Sequence, residues 1–153
     1  MFLSTFEKQL DAKRRIVVPQ DFRAVAAGPF DGVFCFPSIE ADCLEAGGQP
    51  LFDRYRALID TLAFGDPLRS ALETSVLGGM TRLAYDTAGR ITLPEALCGA
   101  LGLTDWVAVV GMGERFQIWP REIFQVHRAR QLALAREGLG ALGLQRRLAA
   151  TGN

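Results

Sequence analysis

The stretch Asp11-Ala-Lys-Arg-Arg-Ile-Val-Val-Pro19 is repeated 75 residues later as Asp86-Thr-Ala-Gly-Arg-Ile-Thr-Leu-Pro94. The two copies share Asp, Arg, Ile and Pro at matching positions, and apolar residues match in kind between them. Phe36-Pro37 and Trp119-Pro120 match at an offset of 83, which places about eight extra residues of the second copy within Leu103 to Glu114. Self-similarity of this kind predicts a duplicated structural unit.

Each copy predicts two β-strands joined by a charged turn. Phe2 to Leu10 and Met80 to Tyr85 have the composition of first strands, and Ile16 to Val18 and Ile91 to Leu93 that of second strands. The short polar connection between them favours pairing of the two strands with each other. We therefore interpret each copy as a β-hairpin with a charged tip.

The turn residues indicate how each tip is held. Asp11 and Asp86 stand at the first turn position, where a carboxylate accepts backbone N–H bonds from two residues further on. Gly89 supplies the positive φ that hairpin loops of three to five residues often need. Arg15 and Arg90 leave the turn beside these aspartates. Because an exposed ion pair contributes only about 0 to 1 kcal/mol, we expect the aspartate mainly to restrain the guanidinium.

Each predicted hairpin is followed by a short helix and further strands. A proline marks the helix start, and helix formers continue over Gln20 to Ala27 and over Glu95 to Leu101. Gly32 to Phe36 and Trp106 to Val110 then have strand patterns, with Phe116 to Trp119 as an additional strand in the second copy. Each unit is therefore mostly β with one small helix.

Two segments outside the copies predict helices. Apolar residues recur at helical spacing from Leu51 to Leu62, Gly65-Asp66-Pro67 breaks the pattern, and Leu68 to Leu77 continues as another helix. We expect the apolar stripe of this connector to pack against a unit or a neighbouring subunit. The last helix is predicted from Pro120 to about Arg136, where closely spaced glycines end the pattern and leave a basic tail at Gln145 to Asn153.

Charge is unevenly distributed along the chain, although the formal net charge is zero. Residues 1–30 carry a net +2, residues 31–76 a net −5, residues 77–120 a net −1 and residues 121–153 a net +4. Such asymmetry points to polyanion binding, and a solvated charged face is the alternative. Three adjacent cations, Lys13 to Arg15, lie at the first tip. The neutral total therefore predicts a local contact with a polyanion.

Composition and motifs argue against several classes of protein. The chain is 49% hydrophobic and 22% charged, as in globular proteins, and its apolar runs are too short to span a bilayer. The N-terminus lacks the pattern of a secretory signal, and the three cysteines form no CxxC pair, so we expect a cytoplasmic protein. No cofactor and no metal are expected, because nucleotide-binding and metal motifs are absent. His127 has no cysteine or carboxylate at nucleophile–base spacing, so no enzyme is predicted.

The two Asp-x-x-x-Arg motifs, each followed by a strand and a proline, resemble those of the bacterial MraZ proteins. Gly111-Met-Gly-Glu-Arg-Phe-Gln-Ile-Trp119 extends the resemblance, which covers roughly residues 1–130. It implies an α+β, mainly β fold: tandem duplicated swapped-hairpin β-barrel units of the AbrB type, with a helical connector and a C-terminal helix. On this basis we assign a first unit at 1–47, the connector at 48–77, a second unit at 78–128, and the C-terminal helix end and tail at 129–153.

The resemblance also implies a function. MraZ proteins are transcriptional regulators that bind short direct repeats in the promoter of the division and cell-wall gene cluster. We accordingly expect a nucleoid-associated repressor that forms a homo-oligomeric ring on double-stranded promoter DNA. The residues that carry over to the DNA contact are Lys13, Arg14, Arg15 and Arg90, and those that shape or orient the turns are Asp11, Asp86 and Gly89. The first tip, with three cations, is expected to be the stronger contact.

One position departs from the family pattern and leaves the shape of the first turn open. The family usually has glycine where Arg14 stands, so this turn either holds Arg14 at positive φ, at a cost of about 1 kcal/mol, or changes its geometry. Two other functions are also open. One is an oligomeric protein-interaction scaffold, in which the acidic connector meets the basic C-terminal segment of a neighbour. The other is an enzyme with a site between its domains.

Overall fold

The computed structural model describes residues 1–25 and 28–151. Met1–Arg121 form one compact unit and Glu122–Asn153 a second. In the described residues, the strands are β1 (Thr5–Gln9), β2 (Arg15–Val17), β3 (Gly32–Pro37), β4 (Leu44–Gly47), β5 (Thr81–Ala84), β6 (Arg90–Thr92), β7 (Trp106–Gly111) and β8 (Phe116–Pro120). The helices are α1 (Gln20–Val25), α2 (Gln49–Asp60), α3 (Pro67–Leu72), α4 (Glu95–Leu101) and α5 (Arg121–Thr151), with a π-helical turn at Glu73–Leu77. The fold is therefore α+β, as expected.

The strands form two antiparallel sheets, and each sheet is symmetric with respect to the two halves of the chain. Six strands pair in the order β1-β7-β8-β4-β3-β5, and β2 pairs with β6 in a two-stranded ribbon. Exchanging β1–β4 for β5–β8 leaves both orders unchanged, because β1 pairs with β7 just as β5 pairs with β3. Each half also follows the order strand, strand, helix, strand, strand. The two halves therefore interleave in one sheet.

The predicted hairpin pairing is wrong. The strands that flank the first turn, β1 and β2, do not pair with each other: Phe6 of β1 lies opposite Val109 of β7, and Ile16 of β2 lies opposite Ile91 of β6. The same holds for the second turn, since β5 pairs with β3. The physical reason is length, because β2 has three residues whereas β7 offers six, including a buried run at 107–110. The longer partner buries more apolar surface.

The sequence patterns also misplaced one internal correspondence and missed β4. Phe36-Pro37 lies at the end of β3 and Trp119-Pro120 at the end of β8, but β3 corresponds to β7 in the order of the halves. The spacing from α1 to β3 is close to that from α4 to β7, so no eight-residue insertion lies there. Each half therefore has four strands, and the extra strand assigned to the second copy has the counterpart β4 in the first.

The main core takes side chains from both halves. The rings of Phe2, Phe22 and Phe116 meet at centroid distances of 5.2 Å. Ile16 and Ile91, which face each other across the β2–β6 ribbon, are 1% and 0% exposed and join the same cluster. Burial of a side chain of this size contributes about 1.5–3 kcal/mol. The ribbon is thus anchored by its inner face to the core.

The connector packs through the apolar stripe that the sequence predicted. Leu51 of α2 is buried in a small cluster with Phe36 and Val76, and Tyr55 and Met80 pack against it. The second predicted helix of the connector is also present, although its C-terminal part, Glu73–Leu77, is π-helical. The stripe therefore packs against β3 of the same chain, which contributes Phe36 to this cluster.

The other helix predictions have mixed outcomes. Helix α4 has its predicted bounds, and the prediction for α1 extended to Ala27, where residues 26–27 lie outside the described part. The predicted end of the last helix near Arg136 is wrong, since α5 continues to Thr151. Its three glycines cost about 1 kcal/mol each relative to alanine, but the leucines, alanines and arginines around them are strong helix formers. Within the described residues, no helix is both long and apolar enough to cross a membrane.

Candidate nucleic-acid interface

The first turn is held by one aspartate. Asp11 Oδ1 accepts hydrogen bonds from the backbone N–H groups of Lys13 and Arg15, at 2.9 and 2.8 Å. Asp11 Oδ2 accepts one from the Arg15 side chain, with Nε at 2.7 Å. The backbone N–H of Arg14 donates to the Asp11 carbonyl at 3.0 Å, which closes the turn. The carboxylate therefore fixes both the turn backbone and the Arg15 guanidinium.

The second turn repeats this geometry. Asp86 Oδ1 accepts from the backbone N–H groups of Ala88 and Arg90, both at 2.9 Å, and Oδ2 accepts from Arg90 Nε at 2.7 Å. The Gly89 N–H donates to the Asp86 carbonyl at 3.0 Å, and Gly89 has a φ of 74°. The two arginines are about one-third exposed, with 29% for Arg15 and 32% for Arg90. Each turn therefore presents one oriented, partly exposed guanidinium.

Arg14 adopts the left-handed backbone conformation that Gly89 has in the second turn. Its φ is 60°, and the turn keeps the same hydrogen-bond pattern as the turn around Gly89. Of the two outcomes left open by the sequence, the first turn thus adopts the strained backbone. Arg14 Nε donates to the Leu93 carbonyl at 3.2 Å, and the Leu93 N–H donates to the Arg14 carbonyl at 2.8 Å. The Arg14 side chain is therefore partly engaged by the protein itself.

The β2–β6 ribbon brings the two turns onto one surface. Arg15 lies opposite Thr92 and Val17 opposite Arg90, and the buried pair of isoleucines separates these two cross-strand pairs. Alternate residues of a strand face opposite sides, so these four side chains share the outer face. Val17 is 42% exposed there, which is high for an apolar residue in a strand. We call Arg15, Val17, Arg90 and Thr92 the arginine face.

The arginine face suits a nucleic-acid groove in shape and charge. A two-stranded β-ribbon fits the major groove of B-DNA, where arginine reads guanine by a bidentate hydrogen bond. The two guanidiniums stand at diagonal corners of the face, and Lys13, an exposed cation, lies in the adjacent turn. All seven predicted site residues therefore lie in the two turns or at the first residues of the ribbon strands.

The sequence patterns missed three residues of this region. Val17 and Thr92 complete the arginine face, and strand alternation about Ile16 and Ile91 could have identified them. Arg23, on α1, places its guanidinium against Gly89 of the second turn: a Cβ built on Gly89 would lie 2.2 Å from Arg23 Nη1. No local signal could have linked Arg23 to a turn more than sixty residues away in the chain.

Hydrogen bonding lowers the pKa of both turn aspartates. The largest cause at Asp11 is the backbone N–H of Arg15, and at Asp86 it is the backbone N–H of Arg90; together with the other hydrogen bonds they outweigh the opposing effect of burial. A carboxyl with a lowered pKa in the folded state stabilises the fold above its unfolded pKa. That contribution is lost as the pH falls through the folded pKa. The turns should therefore be fully formed at neutral pH.

A carboxyl ¹³C NMR titration tests this effect. We expect the midpoints of Asp11 and Asp86 to lie below the ordinary value of 3.8. In Arg15→Ala, the midpoint of Asp11 should rise only part of the way, because the backbone N–H of residue 15 still donates, and Asp86 should not change. Full recovery of the ordinary value in Arg15→Ala would contradict the dominant role of the backbone.

The cysteines are buried and none of the described residues forms a metal cluster. Cys35, Cys43 and Cys98 are free thiols, and burial raises the pKa of Cys35 and of Cys43 to about 12. Among the described residues, no three His, Cys, Asp or Glu side chains are grouped as metal ligands would be.

Comparison with known proteins decides the family. A family model described as "MraZ protein, putative antitoxin-like" matches residues 76–137. The transcriptional regulator MraZ of Phenylobacterium zucineum (strain HLK1) is 74% identical over 149 residues, which cover 97% of this chain and 93% of that protein. The chain belongs to the MraZ family. The transcriptional regulator MraZ of Caulobacter vibrioides (strain NA1000 / CB15N) has the same identity, with 97% of this chain and 96% of that protein covered.

More distant relatives carry the same name. The transcriptional regulator MraZ of Xanthobacter autotrophicus (strain ATCC BAA-1158 / Py2) is 36% identical over 143 residues, covering 93% of this chain and 91% of that protein. MraZ proteins form a family of transcriptional regulators and not of enzymes, in agreement with the prediction that this chain is no enzyme.

Proposed function

We propose that this MraZ chain is a sequence-specific DNA-binding repressor of the division and cell-wall gene cluster. It acts in the cytoplasm on nucleoid DNA and binds short direct repeats in double-stranded promoter DNA. The observation that carries this proposal is the arginine face, where Arg15 and Arg90 are both oriented by an aspartate on one exposed ribbon. The names of the relatives support regulation of transcription.

In this proposal the two arginines contact bases, whereas the neighbouring lysine contacts a phosphate. Arg15 and Arg90 keep their Nη groups for the edge of a guanine, because each Nε is held by its aspartate. Lys13 neutralises a phosphate, which fixes the position of the ribbon but carries no sequence information. Val17 and Thr92 lie between the arginines and can contact a thymine methyl group. Sequence reading then depends on how firmly the turns hold the two guanidiniums.

The proposal includes the duplicated swapped-hairpin architecture. Its support is the strand order. The first strand of one half pairs with the third strand of the other at β1–β7, just as β5 pairs with β3, and the second strands of the two halves pair with each other. The unit boundaries at 47, 77 and 128 stay a prediction. In this architecture the two turns act together, since the β2–β6 ribbon takes one strand from each unit.

A ring of several chains would bind direct repeats through several arginine faces. One face makes few contacts and would bind weakly. Joining faces in a homo-oligomer raises overall affinity by about 10² to 10⁴ when the spacing of the repeats permits simultaneous contact. Ring assembly therefore explains why a neutral chain could bind a promoter selectively.

The proposed function is tested by fluorescence anisotropy with a labelled duplex from upstream of the protein's own gene. We expect affinity that falls steeply with salt, as phosphate contacts release counterions. The variant Lys13→Ala/Arg14→Ala/Arg15→Ala should lose this binding while keeping its oligomeric state in light scattering. A matched variant that removes three cations elsewhere, Arg54→Ala/Arg56→Ala/Arg82→Ala, should bind as the unmodified chain does.

The opposite result identifies the alternative function. Unchanged affinity in the turn variant would refute the proposal. A chain that assembles with protein partners but has no salt-dependent affinity for the duplex would instead be an interaction scaffold, in which the acidic segment at residues 31–76, with a net −5, meets the +4 C-terminal segment of a neighbour.

A further inference from the structure

The guanidinium of Arg23 occupies the space beside Gly89. A Cβ built on Gly89 would lie 2.2 Å from Arg23 Nη1, 2.5 Å from Cζ and 2.8 Å from Nε. This contact is possible only because residue 89 has no side chain. Arg23 belongs to α1 in the first half of the chain, so the first half supplies a cation to the turn of the second half.

The equivalent place in the other half is filled differently. The 75-residue offset relates Gly89 to Arg14 and Arg23 to Cys98. The first turn thus has an arginine where the second has glycine, and α4 has a cysteine where α1 has an arginine. Arg14 Nε donates to the Leu93 carbonyl at 3.2 Å, so its guanidinium folds back onto the protein.

The Arg14 guanidinium also lies within electrostatic range of Cys98. Burial raises the pKa of the Cys98 thiol, and the charge of Arg14 partly offsets this rise. The two differences between the halves therefore compensate each other. The first turn carries Arg14 and is matched with Cys98 on α4, whereas the second turn has Gly89 and is matched with Arg23 on α1.

We propose that each turn requires one guanidinium packed against it, and that Arg14 and Arg23 are equivalent positioning residues that supply it from different places in the chain. This inference rests on the proposed function for its purpose, which is to hold Arg15 and Arg90 in register for DNA. Arg14 is then not a DNA contact, in contrast to its expected role. The strained φ of Arg14 is the consequence of carrying the guanidinium on the turn itself.

Two backbone hydrogen bonds are the contacts that the guanidiniums of Arg14 and Arg23 would stabilise. The Leu93 N–H donates to the Arg14 carbonyl at 2.8 Å, and the Val18 N–H donates to the Gly89 carbonyl at 3.1 Å. These equivalent bonds tie each turn to the end of the strand from the other half. Arg23 Nε is buried and has no hydrogen-bond partner within the described residues, so folding stability alone does not explain its position.

Moving the guanidinium of the first turn tests the equivalence. Arg14→Gly should lower affinity for the upstream duplex by about fivefold or more, although glycine suits a φ of 60° better than arginine does. Arg14→Gly/Cys98→Arg, which supplies the guanidinium from α4, should return affinity to within about twofold. A double variant that binds no better than Arg14→Gly would overturn the inference.

In the second turn the guanidinium can be moved in the opposite direction, from the helix to the turn. Arg23→Cys should lower affinity by a similar factor, and Arg23→Cys/Gly89→Arg should restore it, because the first turn already accommodates arginine at that position. The double variant also avoids the clash that a Cβ at residue 89 would make with Arg23. A double variant Arg23→Cys/Gly89→Arg that binds no better than Arg23→Cys would likewise overturn the inference.

Amide hydrogen exchange separates this inference from the proposed function. Arg14→Gly should speed exchange at Leu93 and leave Val18 unchanged, Arg23→Cys should do the opposite, and each double variant should reverse its effect. These rates decide the inference even if the unmodified chain has no affinity for DNA. Arg14→Asn controls for glycine flexibility, since asparagine tolerates positive φ. Exchange at Leu93 as slow in Arg14→Asn as in the unmodified chain would refute a role for the guanidinium.

Discussion

Replacing Arg15 and Arg90 together by alanine is expected to lower affinity for the promoter duplex by about 100-fold or more. Each bidentate arginine–guanine contact contributes about 1–3 kcal/mol of discrimination, and about 1.4 kcal/mol corresponds to a factor of ten. Affinity for a duplex of unrelated sequence should fall much less, because phosphate contacts from Lys13 remain. Anisotropy titrations with both duplexes at one salt concentration measure the two changes.

The single variants test whether the two halves contribute equally. Arg15 and Arg90 each donate from Nε to an aspartate Oδ2 at 2.7 Å, and their side chains have similar exposure. The two single variants should therefore lose comparable affinity, because Lys13 is present in both of them. A double variant that retains specific binding would show that the arginine face is not the reading surface. Arg56→Ala, which removes an exposed arginine on α2, serves as the charge-matched control for each single variant.

Local turn chemistry was predictable from the sequence because its partners are close in the chain. Asp11 and Arg15 are four residues apart, and the same Asx-type turn recurs at Asp86 and Arg90, so spacing alone indicated the contact. Strand pairing was not predictable in this way. The choice between β2 and β7 as the partner of β1 depends on apolar surface about one hundred residues away, which no local pattern encodes.

Strand β4 illustrates a second limit of sequence patterns. Its sequence, Leu-Glu-Ala-Gly, has neither β-branched nor aromatic residues and contains a charged residue, yet all four positions are buried. Glu45 is accepted there because its partners come from elsewhere: Ser38 Oγ donates to Oε1 at 3.0 Å, Gln117 Nε2 to Oε1 at 2.9 Å, and Arg115 Nε to Oε2 at 2.8 Å. Only the folded arrangement explains the strand.

Because of the same network, Arg115→Ala is expected to have a large effect on stability. Glu45 is 1% exposed, and Arg115 is the cation that pairs with it in the described part of the chain. Removing one partner of a buried ion pair costs about 3–5 kcal/mol, because the remaining charge is left uncompensated. Urea denaturation followed by circular dichroism should show this loss of unfolding free energy, with the slope against urea unchanged.

A second substitution distinguishes a buried charge from lost packing. Glu45→Gln in the Arg115→Ala background removes the charge but keeps the shape, so it should recover a large part of the lost stability. Arg54→Ala breaks an ion pair with Glu114 in which both side chains are more than half exposed, and it should cost at most about 1 kcal/mol. A loss in Arg115→Ala no larger than that in Arg54→Ala would contradict the argument.

The position of Glu45 determines how far this destabilisation spreads. Glu45 lies opposite Gln117 in the β4–β8 pair, at the centre of the sheet where the two halves of the chain meet. The β2–β6 ribbon also takes one strand from each half. A substitution that loosens the central pair should therefore lower the stability of the arginine face without changing its folded structure. Arg115→Ala is then expected to lower DNA affinity only under conditions in which unfolding has begun, whereas Arg15→Ala lowers it in the fully folded chain.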